Sequence, residues 1–197
     1  MYIVGVDEAG RGPLAGPVSV GVICALEGFD FLAAFPGLND SKKLTEKKRE
    51  ALFVRLQEEI RAGNIRAVVH LASAAKIDAR GIVPSVQGAL YKGVRALLPN
   101  PEEGKVYLDG SLKAPPEYEQ ETIIGGDGKV PAIMLASIAA KVTRDRLMKK
   151  LAPTYPQYQF EIHKGYGTKG HYEALRAHGP CEIHRMTFLH LATEVVV

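Results

Sequence analysis

The chain has 197 residues, 46% of them hydrophobic and 24% charged, with a formal net charge of +3. This balance is typical of a globular protein rather than a disordered or membrane one, and the small net charge by itself does not indicate a nucleic-acid-binding protein. The N-terminus has no signal-peptide pattern, and no apolar run approaches the roughly 18 residues of a membrane span. Cys24 and Cys181 lack the CxxC spacing of zinc ribbons. We therefore expect a cytoplasmic protein.

Two strands and a long helix are predicted at the start of the chain. Residues 2–6 and 17–24 are β-branched and apolar, and the glycine-rich DEAGRGPLAG separates them as a turn. Thr45 is a suitable N-cap for a helix that Gly63 ends. The apolar positions that recur every four residues in this helix, and that we expect in the core, are Leu52, Leu56 and Ile60.

Strands and helices alternate through the rest of the chain, which predicts an α/β fold. The predicted segments are strands near residues 65–71, 105–109 and 121–124 and a helix near residues 86–98. Pro131 then opens an alanine-rich helix at its first turn, where the missing N–H costs nothing. The small residues that we expect to let this helix pack closely against its neighbour are Ala132, Ala136, Ser137, Ala139 and Ala140. We expect a single domain over residues 1–197, with a C-terminal loop and helical portion from about residue 153.

Four acidic residues lie at the ends of predicted strands or just beyond them. They are Asp7, Glu8, Asp109 and Asp127. Adjacent residues in a regular strand point to opposite faces, so the first two can act together only if their strand ends there. Clustered carboxylates stay ionised together only with a counter-charge such as Mg²⁺ or Mn²⁺. Two such ions stabilise the attacking and leaving oxygens of phosphodiester hydrolysis.

The alternative is that these are surface acids near turns, where aspartate is frequent because it bonds the backbone. For Asp127 alone, inside GGDGK, that interpretation is the more usual one. Asp145 is a fifth acidic candidate, but it lies in mid-helix between Arg144 and Arg146 and is more typical of an ion-pair partner. Position alone does not decide between the two interpretations.

Two basic elements suit contacts with a nucleic-acid backbone. The GRG turn, which is Gly10, Arg11 and Gly12, offers main-chain groups without an intervening Cβ and adds one positive charge. Other glycine-rich turns look similar. Lys42 and Lys43 precede a helix N-terminus, which suits a phosphate but is equally typical of a solvated helix cap.

Aromatic and histidine side chains complete the candidates. Tyr166 lies between glycines on a basic loop, where its ring can stack on a sugar or base or can simply pack. The histidines form no HExxH pattern, so we do not expect them to act directly in catalysis. Of the five, His163 and His184 are the strongest candidates for such a role. The histidines considered are His163, His171, His178, His184 and His190.

Five separated motifs share one order and spacing with a known family. They are DEAGRGPLAGP at residues 7–17, LNDSKKLT at 38–45, YLDG at 107–110, GGDGKVP running through ASIAAKVTRD, and HKGYGT at 163–168. Together they closely resemble bacterial ribonuclease HII across nearly the whole chain. The resemblance implies an α/β, ribonuclease H-like fold with a mixed central β-sheet flanked by helices and a helical C-terminal portion.

The same resemblance implies an endonuclease that cuts the RNA strand of RNA/DNA hybrids and nicks 5′ to single ribonucleotides in duplex DNA, leaving 5′-phosphate and 3′-hydroxyl ends. The residues that match its catalytic carboxylates, which bind Mg²⁺ or Mn²⁺ as two ions, are Asp7, Glu8, Asp109 and Asp127. Those that match its substrate contacts are Gly10, Arg11, Gly12, Lys42, Lys43 and Tyr166. In the family the turn reads the backbone beside the scissile phosphate, and the tyrosine lies near the deoxyribose after the ribonucleotide.

Two rival hypotheses stay open on the sequence. A related DNA nuclease or junction resolvase would use similar carboxylates, and a non-catalytic hybrid-binding module would be expected to lack part of the quartet, all of which is present. The tail LHLATEVVV shows no clear sliding-clamp peptide. Nothing in the sequence requires more than a monomer.

Overall fold

One mixed sheet organises the chain, of which a computed structural model describes residues 1–189. Its strands are β1 (Tyr2–Ala9), β2 (Val18–Leu26), β3 (Ile65–Ala72), β4 (Gly104–Asp109) and β5 (Glu119–Ile123). Their order is β3-β2-β1-β4-β5. β1–β2 and β2–β3 are antiparallel, whereas β1–β4 and β4–β5 are parallel. The α/β class and the mixed sheet are therefore confirmed.

Seven helices surround this sheet within the described part of the chain. They are α1 (Phe31–Ala34), α2 (Glu46–Arg61), α3 (Ala74–Arg80), α4 (Ile82–Leu97), α5 (Pro131–Leu151), α6 (Phe160–His163) and α7 (Lys169–His178). None of the helices found in residues 1–189 is long and apolar enough to cross a membrane. Residues 190–197, with His190 and most of the tail considered for a sliding-clamp peptide, lie outside the described residues.

Helix α5 packs directly on the backbone of β1 and β2. A Cβ added at Gly5 would lie 2.3 Å from the Ala132 carbonyl carbon, and one at Gly21 would lie 2.2 Å from the Ala136 oxygen. Such distances are possible only without a side chain on the strand. The small residues of α5 therefore serve close packing, as expected, although the partner is the sheet. Helix α4 covers the opposite face, where Val22 contacts Gly93.

Helix α2 begins as predicted, since Thr45 accepts a hydrogen bond from the Lys48 N–H. Leu52 and Leu56 are buried, but the expectation for Ile60 is wrong, because it is 38% exposed. A helix advances about 100° per residue. A strict four-residue repeat therefore rotates by about 40° at each step, and its third member leaves the core-facing side.

The region before residue 86 contains more helix than the sequence pattern predicts. Helix α3 was not predicted, and α4 begins at Ile82. Ser73 caps α3 by accepting a hydrogen bond from the Lys76 N–H. Gly81, with φ of +84°, separates the two helices. A short helix of seven residues carries too little apolar periodicity to be detected beside its longer neighbour.

The C-terminal portion packs against the segment that follows the GRG turn. Leu14 and Ala15 share a buried cluster with Tyr158 and Phe160. Ala15 also forms an antiparallel bridge with His184. The portion predicted from about residue 153 onward is thus helical in part and is joined to the β1–β2 connection.

Candidate functional site

Three carboxylates meet where β1 and β4 end and where the chain enters α5. Asp7 lies in β1, Asp109 is the last residue of the parallel strand β4, and Asp127 lies in a single 3₁₀ turn before α5. One carboxylate oxygen from each lies within 4.8 Å of those of the other two. The structure therefore brings together three of the four acids singled out in the sequence.

Hydrogen bonds fix two members of this cluster. Asp109 Oδ1 accepts a bond from the Gly126 N–H at 2.6 Å. Asp7 Oδ1 accepts a bond from the Glu8 N–H at 2.7 Å. The Ser137 hydroxyl on α5 lies close enough to the Asp7 carboxyl to act on the pKa of Asp7 in the lowering direction, and Ser137 Oγ lies 2.8 Å from Ser41 Oγ. The contact of the serine with Asp7 depends on the close approach of α5 to the sheet. The sequence pattern marks Ser137 only as a small packing residue.

The cluster is short of positive charge. Burial, with a smaller contribution from the charge of Glu8, raises the pKa of Asp7 from 3.8 to about 8. Burial also raises the pKa of Glu8. Oxygen ligands that repel one another in a buried position suit a hard divalent cation. The donor set formed by Asp7, Asp109 and Asp127 thus fits Mg²⁺ or Mn²⁺.

Glu8 does not join the three-carboxylate group, because β1 does not end where the sequence analysis required. The strand continues through Ala9, and the pairs Asp7↔Gly21 and Glu8↔Val20 keep a regular antiparallel ladder. In such a strand, neighbouring side chains leave on opposite faces. Glu8 Oε1 lies 3.3 Å from Arg11 Nη1 instead.

The two lysines of the basic segment differ in their surroundings. Lys42 Nζ lies 2.7 Å from Asp127 Oδ2, which raises the pKa of Lys42 through that hydrogen bond. Lys43 is exposed, and its backbone N–H bonds the Asp40 carbonyl at 2.9 Å. Only the first of them touches the carboxylate cluster.

The GRG turn has an inner and an outer side. Gly10 has φ of +89°, and a Cβ on it would lie 2.2 Å from Arg144 Nε, whereas a Cβ on Gly12 would meet open space. The carbonyls of Gly10 and Arg11 accept hydrogen bonds from the buried guanidinium of Arg185 at 2.7 and 2.8 Å. The turn therefore directs carbonyls inward and leaves the region around Gly12 open to a ligand.

Tyr166 shares a cleft with one of the catalytic candidates, Glu8. The cleft has a volume of about 350 Å³, and its lining includes Glu8, Gly10, Lys42, Lys141 and Tyr166. The tyrosine is 40% exposed. Lys141 Nζ lies 5.4 Å from the centre of its ring. The ring is thus held beside positive charge at the edge of the carboxylate site.

Two buried arginines that were not among the predicted site residues support the turn. Arg144 and Arg185 are both 0% exposed. Arg144 donates to the carbonyls of Pro17 and Ala15 at 2.8 and 3.1 Å. A cation inside an alanine-rich helix was the available signal, because an arginine there must find partners in the core. Asp145 pairs with Lys141 at 2.9 Å, as its position indicated.

Three of the histidines lie together in the C-terminal portion. His163 stacks on His171 with ring centres 4.4 Å apart, and His171 Nε2 lies 3.0 Å from His184 Nε2. None of the three belongs to the carboxylate group found among residues 1–189. Both cysteines are free.

A family model described as Ribonuclease HII matches residues 4–191. The chain belongs to the ribonuclease HII family. The ribonuclease HII of Endomicrobium trichonymphae is 47% identical over 188 residues, which is 94% of this chain and 84% of that protein. As a member of the ribonuclease HII family, the chain is a hydrolytic endoribonuclease that acts on RNA/DNA hybrids.

Solved structures of ribonucleases H share the fold of this ribonuclease HII family member. The ribonuclease H2 of Pyrococcus horikoshii OT3 superposes with a TM-score of 0.71 at 27% identity, over 95% of this chain and 93% of that one. Bst-RNase HIII in complex with Mn²⁺ gives a TM-score of 0.66 at 17% identity, over 91% of this chain and 63% of that one, a likeness of fold alone.

Family membership decides between the hypotheses left open by the sequence. A junction resolvase or another DNA nuclease with the same fold is not supported, because the match to ribonuclease HII extends over nearly the whole chain. A non-catalytic module is not supported either. The carboxylates at positions 7, 8, 109 and 127 are all retained.

Proposed function

We propose that the enzyme cuts hybrids by metal-ion catalysis, with Asp7, Glu8, Asp109 and Asp127 as the residues that hold Mg²⁺ or Mn²⁺. The observation that carries this proposal is the group of three carboxylates within 4.8 Å of one another. When bound, two such ions supply an activated water and stabilise the departing 3′-oxygen, which leaves 5′-phosphate and 3′-hydroxyl ends.

The protein groups of the site have separate tasks in this proposal. Asp7 and Asp109 are fixed by the parallel strands β1 and β4, so their relative position is set by the sheet. Ser137 orients the Asp7 carboxyl from α5. Glu8 lies beside Arg11 and lines the neighbouring cleft, where the charge of Asp109 still acts on it.

We propose that the GRG turn and Tyr166 together recognise an RNA–DNA junction. The open region at Gly12 lets a sugar-phosphate backbone approach the main chain. The exposed ring of Tyr166 offers a face to the next sugar in the cleft that Gly10 also lines. A 2′-hydroxyl distinguishes RNA from DNA, so a site of this kind acts on single ribonucleotides in duplex DNA as well as on longer hybrids.

Lys42 and Lys43 complete the proposed substrate contacts. Lys43 is exposed and free to approach a phosphate, and Lys42 extends from solvent to Asp127.

We also propose that the chain works as a monomer with a single catalytic domain. The segment from Leu14 to Gly16 supports the single domain, because its main-chain hydrogen bonds join the β1–β2 connection to the C-terminal portion.

The test compares two duplexes of one sequence, one with a single embedded ribonucleotide and one entirely of DNA. With Mg²⁺ or Mn²⁺ we expect a single nick on the 5′ side of the ribonucleotide and no cut in the DNA duplex. The nick should be absent in chelator. Mapping of the product ends checks the chemistry. Equal cutting of the two duplexes would contradict the junction proposal.

A further inference from the structure

The segment Cys181–Arg185 lies against both elements that we propose to read the junction. The Arg185 N–H donates to the Leu14 carbonyl at 2.8 Å, and the Leu14 N–H donates to the Gly165 carbonyl at 2.8 Å. Gly165 is adjacent to Tyr166. Main-chain hydrogen bonds therefore connect this segment, the stretch after the GRG turn and the tyrosine loop as three adjoining pieces.

Arg185 binds the GRG turn from inside the protein. Its guanidinium donates to the carbonyls of Gly10, Arg11 and Gly16 at 2.7, 2.8 and 2.9 Å. The side chain is 0% exposed. Three charge-assisted bonds from one rigid group fix the direction of the turn's peptide planes.

His184, the residue before Arg185, binds the tyrosine loop through His171. The Cys181 N–H donates to His184 Nδ1 at 2.9 Å, so that nitrogen carries no proton and Nε2 carries it. His184 Nε2–H then donates to His171 Nε2 at 3.0 Å. The remaining nitrogen of His171, Nδ1–H, donates to the Tyr166 carbonyl at 2.9 Å. Each step determines the tautomer of the next.

His163 holds the same loop by a second route. Its Nδ1 accepts a hydrogen bond from the Gly165 N–H at 3.1 Å, and its Nε2 lies 2.6 Å from the Tyr158 carbonyl. The ring stacks on His171. The backbone on both sides of the Gly165–Tyr166 peptide is therefore bonded to an imidazole.

Burial keeps this chain of imidazoles neutral. His171 and His184 are 0% and 2% exposed. Burial lowers the pKa of His171, and it lowers the pKa of His184 from 6.5 to about 4. A neutral relay between two backbone groups has one proton arrangement and hence one geometry.

We propose that His171, His184 and Arg185 are positioning residues that set the spacing between the GRG turn and Tyr166, and through that spacing the preference for an RNA–DNA junction. The inference rests on the proposed junction recognition and extends it to residues that do not line the cleft. Neighbouring residues 184 and 185 each hold one of the two reading elements, so neither element shifts without the other.

The relay is tested first in the intact enzyme by imidazole ¹⁵N NMR at pH 7. We expect His184 as the Nε2–H tautomer and His171 as the Nδ1–H tautomer, which is the minor form of a free imidazole. A charged His171, or His171 as the Nε2–H tautomer, would overturn the relay. This measurement requires no variant to fold.

The positioning role is tested with His171→Leu and His171→Asn. We expect His171→Leu to lower kcat/KM on the single-ribonucleotide duplex by about tenfold, with at most about a threefold loss on a long RNA/DNA hybrid, sizes typical of a lost buried hydrogen bond. His171→Asn retains a donor near the Nδ1 position and should restore part of the ratio. Mn²⁺ affinity measured by calorimetry should stay unchanged in both.

Tyr118→Phe is the matched control, because it removes a buried hydrogen bond of 2.8 Å to the Leu98 carbonyl in a different cluster. It should cost similar stability and leave the ratio of kcat/KM on the two substrates unchanged.

Tyr166→Ala distinguishes failure of the positioning role from failure of junction recognition. If it changes the ratio and His171→Leu does not, the positioning role is wrong and junction recognition stands. If neither changes the ratio, junction recognition itself is wrong.

Discussion

Lys42 Nζ lies 2.7 Å from Asp127 Oδ2, so an exposed lysine neutralises a buried carboxylate of the three-carboxylate group. The lysine side chain is 77% exposed and the aspartate 8%. The ammonium therefore supplies part of the positive charge that a bound divalent cation would bring to these carboxylates.

Replacement of Lys42 is expected to strengthen cation binding. In Lys42→Met we expect the affinity for Mn²⁺ to rise about threefold, because one competing positive charge is removed from a solvent-screened position. Calorimetric titration of the metal-free protein measures this. Lys43→Met removes an adjacent lysine that bonds no carboxylate among residues 1–189 and should leave the affinity unchanged. An equal rise in both variants would contradict the role of Lys42.

Asp7→Asn is expected to abolish cleavage and to keep most hybrid binding. The variant removes one of the three converging carboxylates, whereas phosphate contacts elsewhere supply affinity. Cleavage assays in Mg²⁺ and gel-shift titrations measure the two properties separately. Asp145→Asn is the control, since this buried aspartate pairs with Lys141 and lies outside the three-carboxylate group. Full activity in Asp7→Asn would disprove the proposed metal site.

Asp7→Asn is also expected to stabilise the metal-free protein, kept in chelator, at pH 8. The folded pKa of Asp7 is raised to about 8 from 3.8, so between these values the folded protein holds a proton that the unfolded chain has lost. Stability therefore falls as pH rises through this window. Urea unfolding should show the metal-free Asp7→Asn variant about 1–2 kcal/mol more stable than the parent at pH 8, with the difference vanishing near pH 4.

His184 gives the opposite pH dependence. Its folded pKa is lowered to about 4 from 6.5, so the unfolded chain takes up a proton first as the solution is acidified. The contribution of His184 to stability is complete above pH 6.5 and is lost as pH falls to about 4. The stability advantage of the parent over His184→Asn, measured by urea unfolding, should shrink from pH 7.5 to pH 5. A constant difference would show that the imidazole is not held neutral.

Tyr166→Ala is expected to lower activity more on a single-ribonucleotide duplex than on a long hybrid, because only the former presents a deoxyribose immediately after the ribonucleotide. Tyr166→Phe, which retains the ring, should lose less. Steady-state kinetics on both substrates measure the effect, and Tyr91→Ala on α4, a partly buried tyrosine that does not line the cleft, serves as the control. Equal losses on the two substrates for Tyr166→Ala would contradict the assignment.

The sequence predicts the strands, α2 and α5 and the residues that converge at the site, because hydrophobic period, caps and strand ends are local signals. It does not predict that β1 continues past Glu8. That extension depends on pairing with β2, a partner that no local pattern describes. The prediction that Ile60 is buried fails for a related reason, since its burial depends on the rotation of α2 over the sheet.

Long-range supports of the site are also invisible to sequence patterns. Arg185 contacts Gly10, which is 175 positions earlier in the chain, and His184 contacts His171, which is 13 positions earlier. Each contact is created by the packing of the C-terminal portion on the β1–β2 connection. The histidine pattern gave no metal motif, and it gave no sign of a relay, because a relay depends on ring orientations alone.

The glycines of the sheet limit how this enzyme can be made more heat-resistant. Replacement of glycine by alanine commonly raises stability, and Gly88 in α4 has open space for a methyl group, so about 0.5–1 kcal/mol is available there. At Gly5 and Gly21 the same change would drive α5 off the strands. Ser137 would then retreat from Asp7, so the melting temperature and the turnover number would decline together.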